Sequence, residues 1–320
     1  MSTELVFLCG QIPYPLESVM WFKNLKVFRL NPSWKITAAE LDEQLQKQAF
    51  TEGVFSSNPL NMGWTAIFPE TGSLVHAIEQ NYLINLRVEK KLLPASVINQ
   101  FTKAKALEVE EQQGYKVGRK QMKELKENVT DTLRPRAFSI YRDTRAWFDM
   151  KNHWLVIDAG ASSKSDEIIG MLAKVLDPLP VKSFITETSP SVAMSAWLKN
   201  DQAPADFSID QDTELKSMGD DRASVRYARH NPDPEDLAKQ LNTGKVCTRL
   251  ALTWQDRISF VLNDLMDIKK LQALEIIEQN RDLSSVDDIE RFDTDMALMF
   301  GEVNGLLLAL TEALDGEKES

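Results

Sequence analysis

The stretch PASVINQFTKAKALEVEEQQGYKVGRKQMKELKENVTDTLRPRAF, residues Pro94 to Phe138, decides how this chain is read. Its spacing predicts a first helix over Pro94–Glu111 with Val97, Phe101, Ala104 and Leu107 on one face, a break at Gly114, and a second helix from Lys116 to Leu133. At about 100° per residue with Arg119 at zero, Lys126, Lys123, Lys116 and Lys120 fall between about −20° and 100°. Met122, Leu125, Val129 and Leu133 fall between about −120° and −40°, an apolar seam beside the cations. Glu127 lies inside the basic arc and weakens it. The pattern is that of an antiparallel helical pair projecting from a sheet body, returning to it through Leu133-Arg134-Pro135-Arg136-Ala137-Phe138.

The charge around this stretch is not typical of the chain. Residues 81–145 carry 14 Lys and Arg against 8 acids, a net +6, whereas the whole chain is −11, so the remaining 255 residues sum to −17. An acidic body repels phosphate except where the basic segment points, which is the electrostatic footprint of a polyanion-binding protein. Lys116, Arg119, Lys120, Lys123, Lys126, Arg134 and Arg136 are the expected DNA contacts. Phe138, beside two of these arginines, is suited to stacking on a base, to anchoring a protein contact, or to core packing.

Outward from the helical pair, strand and helix signals alternate. Thr37 with Glu40 three residues on is a capping box before Leu41 and Leu45. Leu83–Glu89 alternates like a half-buried strand. Arg145–Phe148 and His153–Asp158 flank a turn, as do the run with Val246, Thr248, Leu250, Leu252 and Trp254 on one face and the run Ile258–Leu262, predicting two antiparallel hairpins. Ser189-Pro190 and Asp233-Pro234 mark helix starts. Ile289, Phe292, Met296, Met299, Phe300, Val303, Leu307 and Leu310 predict a long amphipathic helix near the end. The fold class is therefore α+β: several lobes of mixed antiparallel sheets and helices with the projecting pair. The expected division is a 1–19 extension, an α+β lobe over 20–93, the basic projection over 94–137, and an α+β body over 138–320 ending in an acidic helical region.

Two cysteines, Cys9 and Cys247, make no disulfide framework and lack zinc-site spacing, which fits a reducing cytosol. Apolar runs such as Gly305–Leu310 are far short of a bilayer span, and residues 1–19 make a poor secretory signal. No phosphate-cradling Gly-x-x-x-x-Gly-Lys loop is present, and His76, His153 and His230 are too scattered to pair as ligands. Cys247 is expected on the polar face of its strand, in a structural role. Asp212, Glu214 and Lys216 contain the Glu-x-Lys element of metal-dependent phosphodiesterases, but Glu124-Leu125-Lys126 supplies the same pattern on a helix. Asp158, at a strand end, has the place of a turn or cap residue. The expectation is no catalytic residue, no metal and no cofactor. Two alternatives stand beside DNA binding: a metal-dependent nuclease, and a protein-interaction scaffold supported by residues 263–320, which carry 15 acids and 5 bases.

With these residues in view, the chain resembles the RdgC family of bacterial recombination-associated proteins. The resemblance runs through Met20-Trp21-Phe22-Lys23-Asn24-Leu25, Met62-Gly63-Trp64, Glu89-Lys90-Lys91-Leu92-Leu93-Pro94, Leu133 to Ser139, Gly244-Lys245-Val246, Leu250 to Ile258, and Phe292-Asp293. It implies a non-enzymatic protein that closes as a ring-shaped homodimer around duplex DNA, with single strands as the alternative ligand. It further implies binding without sequence preference, restraint of RecA-promoted strand exchange, and a cytoplasmic, nucleoid-associated location with no membrane. Residues 1–19 precede the family block and are expected to be dispensable. Where the family carries an Arg followed by a Lys-rich run, this chain reads Arg226-Tyr227-Ala228-Arg229-His230. Phe138, Arg226, Arg229 and His230 are the candidates for a dimer or DNA contact.

Overall fold

The computed structural model describes residues 21–52, 60–219, 223–230, 232–279 and 287–318. The extension over 1–19 and Cys9 lie outside them. The fold is α+β and divides into two compact units. One spans Asn24–Phe184; in the described chain the other comprises Ile185 onward together with the residues before Asn24. The first unit therefore takes in both the N-terminal lobe and the helical projection delimited in the sequence.

In the first unit, chain order runs β1 (Leu25–Leu30), α1 (Ala38–Gln46), β2 (Leu60–Thr65), β3 (Val75–Ile78), β4 (Asn81–Lys91), α2 (Ala95–Gln113), α3 (Arg119–Leu133), β5 (Ser139–Asp149), β6 (Trp154–Asp158), α4 (Ser162–Leu172) and β7 (Val181–Ser183). The strands pair antiparallel in the order β2-β4-β5-β6-β1, with β3 also on β4 and β7 also on β1. Thr37 caps α1 as the sequence predicts. Its hydroxyl accepts from Glu40 N at 3.2 Å while the Glu40 carboxylate accepts from Thr37 N at 2.8 Å, satisfying two orphan donors reciprocally. Leu41 and Leu45 of α1 and Ile168, Met171 and Leu172 of α4 close over Ile84, Leu86, Val88, Phe148, Leu155 and Ile157. Asp158, at the end of β6, accepts from Asn24 N at 3.0 Å, a contact between distant parts of the chain and not the local turn or cap expected of it.

One strand expectation needs correction. Leu83–Glu89 is not half-exposed: Asn85 and Glu89 are 5% and 3% exposed, as buried as their apolar neighbours. A polar side chain inside must be satisfied, and Glu89 is, accepting from Ser139 Oγ at 2.6 Å and Asn61 Nδ2 at 3.2 Å with Lys91 Nζ at 3.4 Å. At Glu89 the polar position in the alternation thus marks a buried hydrogen-bond network and not a solvent face, while Asn85 is buried with its Oδ1 unpartnered.

The second unit carries α5 (Pro190–Asn200), β8 (Phe207–Ser217), β9 (Ser224–Tyr227), α6 (Pro234–Asn242), β10 (Lys245–Trp254), β11 (Ile258–Asn263), β12 (Ile268–Ala273), α7 (Glu275–Gln279) and α8 (Asp288–Ala313). Its strands run β12-β11-β10-β8-β9, again antiparallel. Ser189 and Asp233 cap α5 and α6 as expected, each followed by proline. The β10–β11 turn places Gln255 and Asp256 at φ 48° and 54°, the handedness a tight hairpin requires. The long terminal helix is present. By length and composition α8 is apolar enough to cross a membrane, but Phe292, Met296, Met299, Phe300, Val303, Leu306, Leu307 and Leu310 are buried within the protein, as in a core helix.

Cys247 departs from expectation. It is fully buried, because β10 has no solvent face: Thr248, Leu250, Ala251, Leu252, Thr253 and Trp254 are buried as well, and α5 packs against the strand. Burial pushes its thiol up to about 12, so it is inert as a nucleophile.

Candidate nucleic-acid interface

The helical pair grows out of a β-hairpin. β4 and β5 pair at every position from Asn81↔Asp149 to Lys91↔Ser139, and Leu92 N donates to Phe138 O at 2.7 Å one step further. Where a tight turn would follow, the chain instead runs out along α2 and back along α3. Gly114 ends α2 at φ 78°, a left-handed position that glycine adopts without strain. At this far end the two helices are clasped: Val117 N donates to Glu110 Oε1 at 2.9 Å, and Gln121 Nε2 to Gln113 Oε1 at 3.0 Å.

The main contacts of α2 and α3 are with each other. The face of α2 that meets α3 is not the predicted one. Thr102 and Ala106 are its buried residues, whereas Phe101 is 50% and Leu107 62% exposed and Ala104 is exposed. Ala106 lies about 140° round the helix from Phe101. Ile98 and Val109, about one turn to either side of Thr102 and Ala106, are half-buried, whereas Phe101 and Leu107 are left outside. On α3 the predicted seam holds: Met122, Leu125, Val129 and Leu133 are all half-buried.

The second helix starts at Arg119, after Gly118, and not at Lys116. Lys116 therefore sits in the connecting turn, where a helical angle does not apply, though it is exposed. Arg119, Lys120, Lys123 and Lys126 are all exposed on α3. Glu127, inside the arc, approaches Lys123 at 3.9 Å, a surface pair too weak to silence the lysine. Arg134 is partly covered and pairs with Asp131 at 3.2 Å, while Arg136 is exposed. Lys123, Lys126, Glu127, Thr130, Asp131 and Arg134 line an open groove along this edge.

The basic composition of residues 81–145 thus has two sources with different meanings. Arg87 makes a bidentate pair with Asp143 at 2.8 and 2.7 Å, Arg142 pairs with Glu167, and Lys91 sits beside Glu89. Arg145 is sunk deeply enough that burial lowers its pKa, against the opposing charges of Asp158 and Asp143. These cations belong to the sheet. Those facing solvent concentrate on α3 and its flanks, where Lys116–Arg136 holds seven cations and three acids. α2 itself, with two lysines and three glutamates, is not basic.

Phe138 emerges at the root of the pair and is 85% exposed, so core packing is not its role in this chain. Leu60, Leu92 and Ile140 are 41%, 49% and 52% exposed, and the ladder puts them on the same sheet face as Phe138. With exposed Lys90 standing between Leu60 and Ile140 on the same face, they form a largely apolar patch at the base of a cationic arm.

The remaining candidates lie in the second unit. Arg226 on β9 stands opposite Glu214, and Arg249 stands opposite it on the other side. Arg226, Arg229 and His230 are exposed. Arg229 has φ 53°, and its N–H donates to Asp212 Oδ1 at 3.0 Å. Asp212, Glu214 and Lys216 do share a strand face, as a nuclease site would need. Their carboxylates are engaged: Glu214 with Lys216 at 2.9 Å and Arg249 at 3.7 Å, and Asp212 with Lys270 at 3.7 Å. Among the described residues, no cluster of three His, Cys, Asp or Glu is placed to hold a metal ion.

Comparison with known proteins finds relatives that match nearly the whole chain. Residues 20–317 match a family model described as "Putative exonuclease, RdgC". A protein of Bordetella parapertussis named "Recombination-associated protein RdgC" is 53% identical over 300 residues, covering 93% of this chain and 99% of its own length. The protein of the same name from Cupriavidus necator is 52% identical over 301 residues, 94% of this chain and all of its own. That of Herminiimonas arsenicoxydans is 49% identical over 299 residues, 93% and 99% respectively.

Proposed function

Because the chain belongs to the RdgC family of recombination-associated proteins, we propose that it is a DNA-binding protein acting by occupancy and not by chemistry. Two copies close as a ring around duplex DNA, hold it through phosphate contacts without sequence preference, and so limit RecA-promoted strand exchange. The observation that carries this reading is the row Arg119, Lys120, Lys123 and Lys126, exposed on a helix that leaves an otherwise acidic protein. Such a row meets a phosphate backbone and offers no set of side chains for reading base edges. A protein scaffold with no nucleic-acid ligand would have no use for it.

The apolar patch around Phe138 is the surface on which the second copy closes, since an exposed aromatic ringed by aliphatic side chains is the make-up of an interface anchor. Arg226, Arg229 and His230 supply the second closure or further DNA contacts. A protein of this kind works in the cytoplasm, at the nucleoid.

The family description and the shared face of Asp212, Glu214 and Lys216 favour nuclease activity as a second reading. Against it, the ion pairs of Glu214 would have to break before a metal could bind. Incubating linear plasmid with the protein and Mg²⁺ or Mn²⁺ decides this: progressive shortening supports the nuclease.

Encirclement has a signature that groove binding lacks. On closed circular duplex a ring is topologically linked, so a dimer locked by engineered cysteines at its contacts resists a high-salt wash, whereas on linear duplex it slides off the ends. Equal retention on circular and linear DNA by a verified locked dimer refutes the ring and leaves simple DNA binding standing.

A further inference from the structure

Aromatic side chains that stand clear of the core are confined, in the described chain, to the span from Phe101 to Tyr141. Among the described residues, Phe101, Tyr115, Phe138 and Tyr141 are 50%, 67%, 85% and 40% exposed, and none of the seven tryptophans is exposed. All four lie in the cationic arm or at its root. Tyr141 is engaged, edge-on to Phe50 with ring centroids 6.2 Å apart and beside Arg87. Phe138 belongs to the apolar patch. That leaves Phe101 on the outer face of α2 and Tyr115 in the turn at the far end.

The backbone that carries Tyr115 is pinned on both sides. Gln113 Nε2 donates to its carbonyl at 2.9 Å, and the clasp from Val117 N to Glu110 fixes the turn just beyond it. The space around the turn is open: a Cβ added at Gly114 or Gly118 would meet no atom within 4 Å. Lys116 follows it directly, with Arg119 and Lys120 one turn on.

A duplex backbone makes no use of these rings, because its bases are stacked and paired inside. A protein contact takes aromatic rings too, but it is depleted of lysine, and Tyr115 is followed directly by Lys116. Tyr115, followed by Lys116, Arg119 and Lys120, matches a strand with unpaired bases, which supplies π-faces and phosphates together; Phe101, on the less basic α2, has Lys105 one turn on. We propose that Tyr115 is a stacking site for an unpaired DNA base, with Phe101 a second site about 20 Å back along the arm. This rests on the DNA-binding reading above and adds a second ligand class to it. The cation row serves any DNA, and the rings serve unpaired segments alone.

The test measures binding by anisotropy for three probes of equal phosphate number: an oligothymidylate, an abasic strand and a blunt duplex. Wild type is expected to bind oligothymidylate at least tenfold more tightly than the abasic strand. The Tyr115→Ala/Phe101→Ala variant should lose about five- to 150-fold per ring on oligothymidylate, stay within about twofold on the duplex, and bind both single strands alike. Tyr115→Trp should keep the preference. Equal wild-type affinity for base-bearing and abasic strands, with duplex binding intact, overturns the stacking sites and leaves the DNA-binding reading in place. A loss shared equally by duplex, or a fall in sedimenting mass of the double variant, also overturns them, the latter by making the rings a protein contact. No wild-type binding to any probe overturns both readings.

Discussion

Replacing Lys123 and Lys126 by glutamine tests the cation row where it is most accessible. Four exposed cations on α3, Arg119, Lys120, Lys123 and Lys126, give eight in a dimer. If each meets one phosphate, counterion release makes log K fall with log salt at a slope of about −7. Between 50 and 200 mM salt that amounts to a loss of about four orders of magnitude. The double variant removes four of the eight, so its slope should drop to about −3.6 and its loss over the same range to about 150-fold. Folding should be untouched: α3 has no buried residue, glutamine is nearly as good a helix former as lysine, and the only ion pair described for these lysines is the 3.9 Å surface contact with Glu127. Fluorescence anisotropy on a short duplex at five or more salt concentrations gives the slope directly. A variant with wild-type melting temperature and wild-type slope would refute the assignment and place the phosphate contacts on another surface.

Further outcomes follow from other features. Phe138→Ala should weaken salt-resistant retention on circular DNA while leaving affinity for a short linear duplex within about twofold, since an anchor truncation acts on the protein contact; unchanged retention on circles argues against closure at this patch. Gly305→Ala should destabilise by about 1–3 kcal/mol, because a Cβ there falls 2.7 Å from the Trp254 ring, as read by urea unfolding; a neutral result would show that the indole moves aside. The thiol of Cys247, raised to about 12 by burial, binds its proton more tightly in the folded than in the unfolded chain. Its contribution is therefore complete below the unfolded value and is lost as pH rises toward 12. Relative to Cys247→Ala, wild type should lose about 1.4 kcal/mol per pH unit above pH 9, and parallel stability curves over pH 8.5–10.5 would contradict that.

Sequence was most informative where a local rule has one structural outcome. Thr37 with Glu40, Ser189-Pro190, Asp233-Pro234 and Gly114 all act through backbone hydrogen bonding within a turn or two, and all stand where the residues put them. It was least informative where the partner decides. Nothing local to α2 says that Thr102 and Ala106 are covered and Phe101 and Leu107 are not; that choice belongs to the partner helix. Nor does composition distinguish Arg87, Arg142 and Arg145, held in the sheet, from Lys123 and Lys126, held out in solvent. Cys247 was misplaced because alternation in one strand does not reveal that other elements cover its second face. The cation row of α3 was legible as a helical face. The mounting of Tyr115 was not, since it depends on contacts made across the turn.

Because the arm is spliced into a hairpin whose strands stay paired up to Leu92 and Phe138, its length is decoupled from the register of the sheet. Residues can be gained or lost between these two positions, a helical turn at a time, with no strand having to slide. Evolution can thus retune how far the protein reaches without renegotiating how it folds. The same splice gives an experimenter a clean excision point: a two-residue Asn-Gly turn joining Leu92 to Phe138 closes the hairpin in the form such strands favour. That shortened chain would be the body stripped of its arm, a control in which every function attributed to the arm must disappear together.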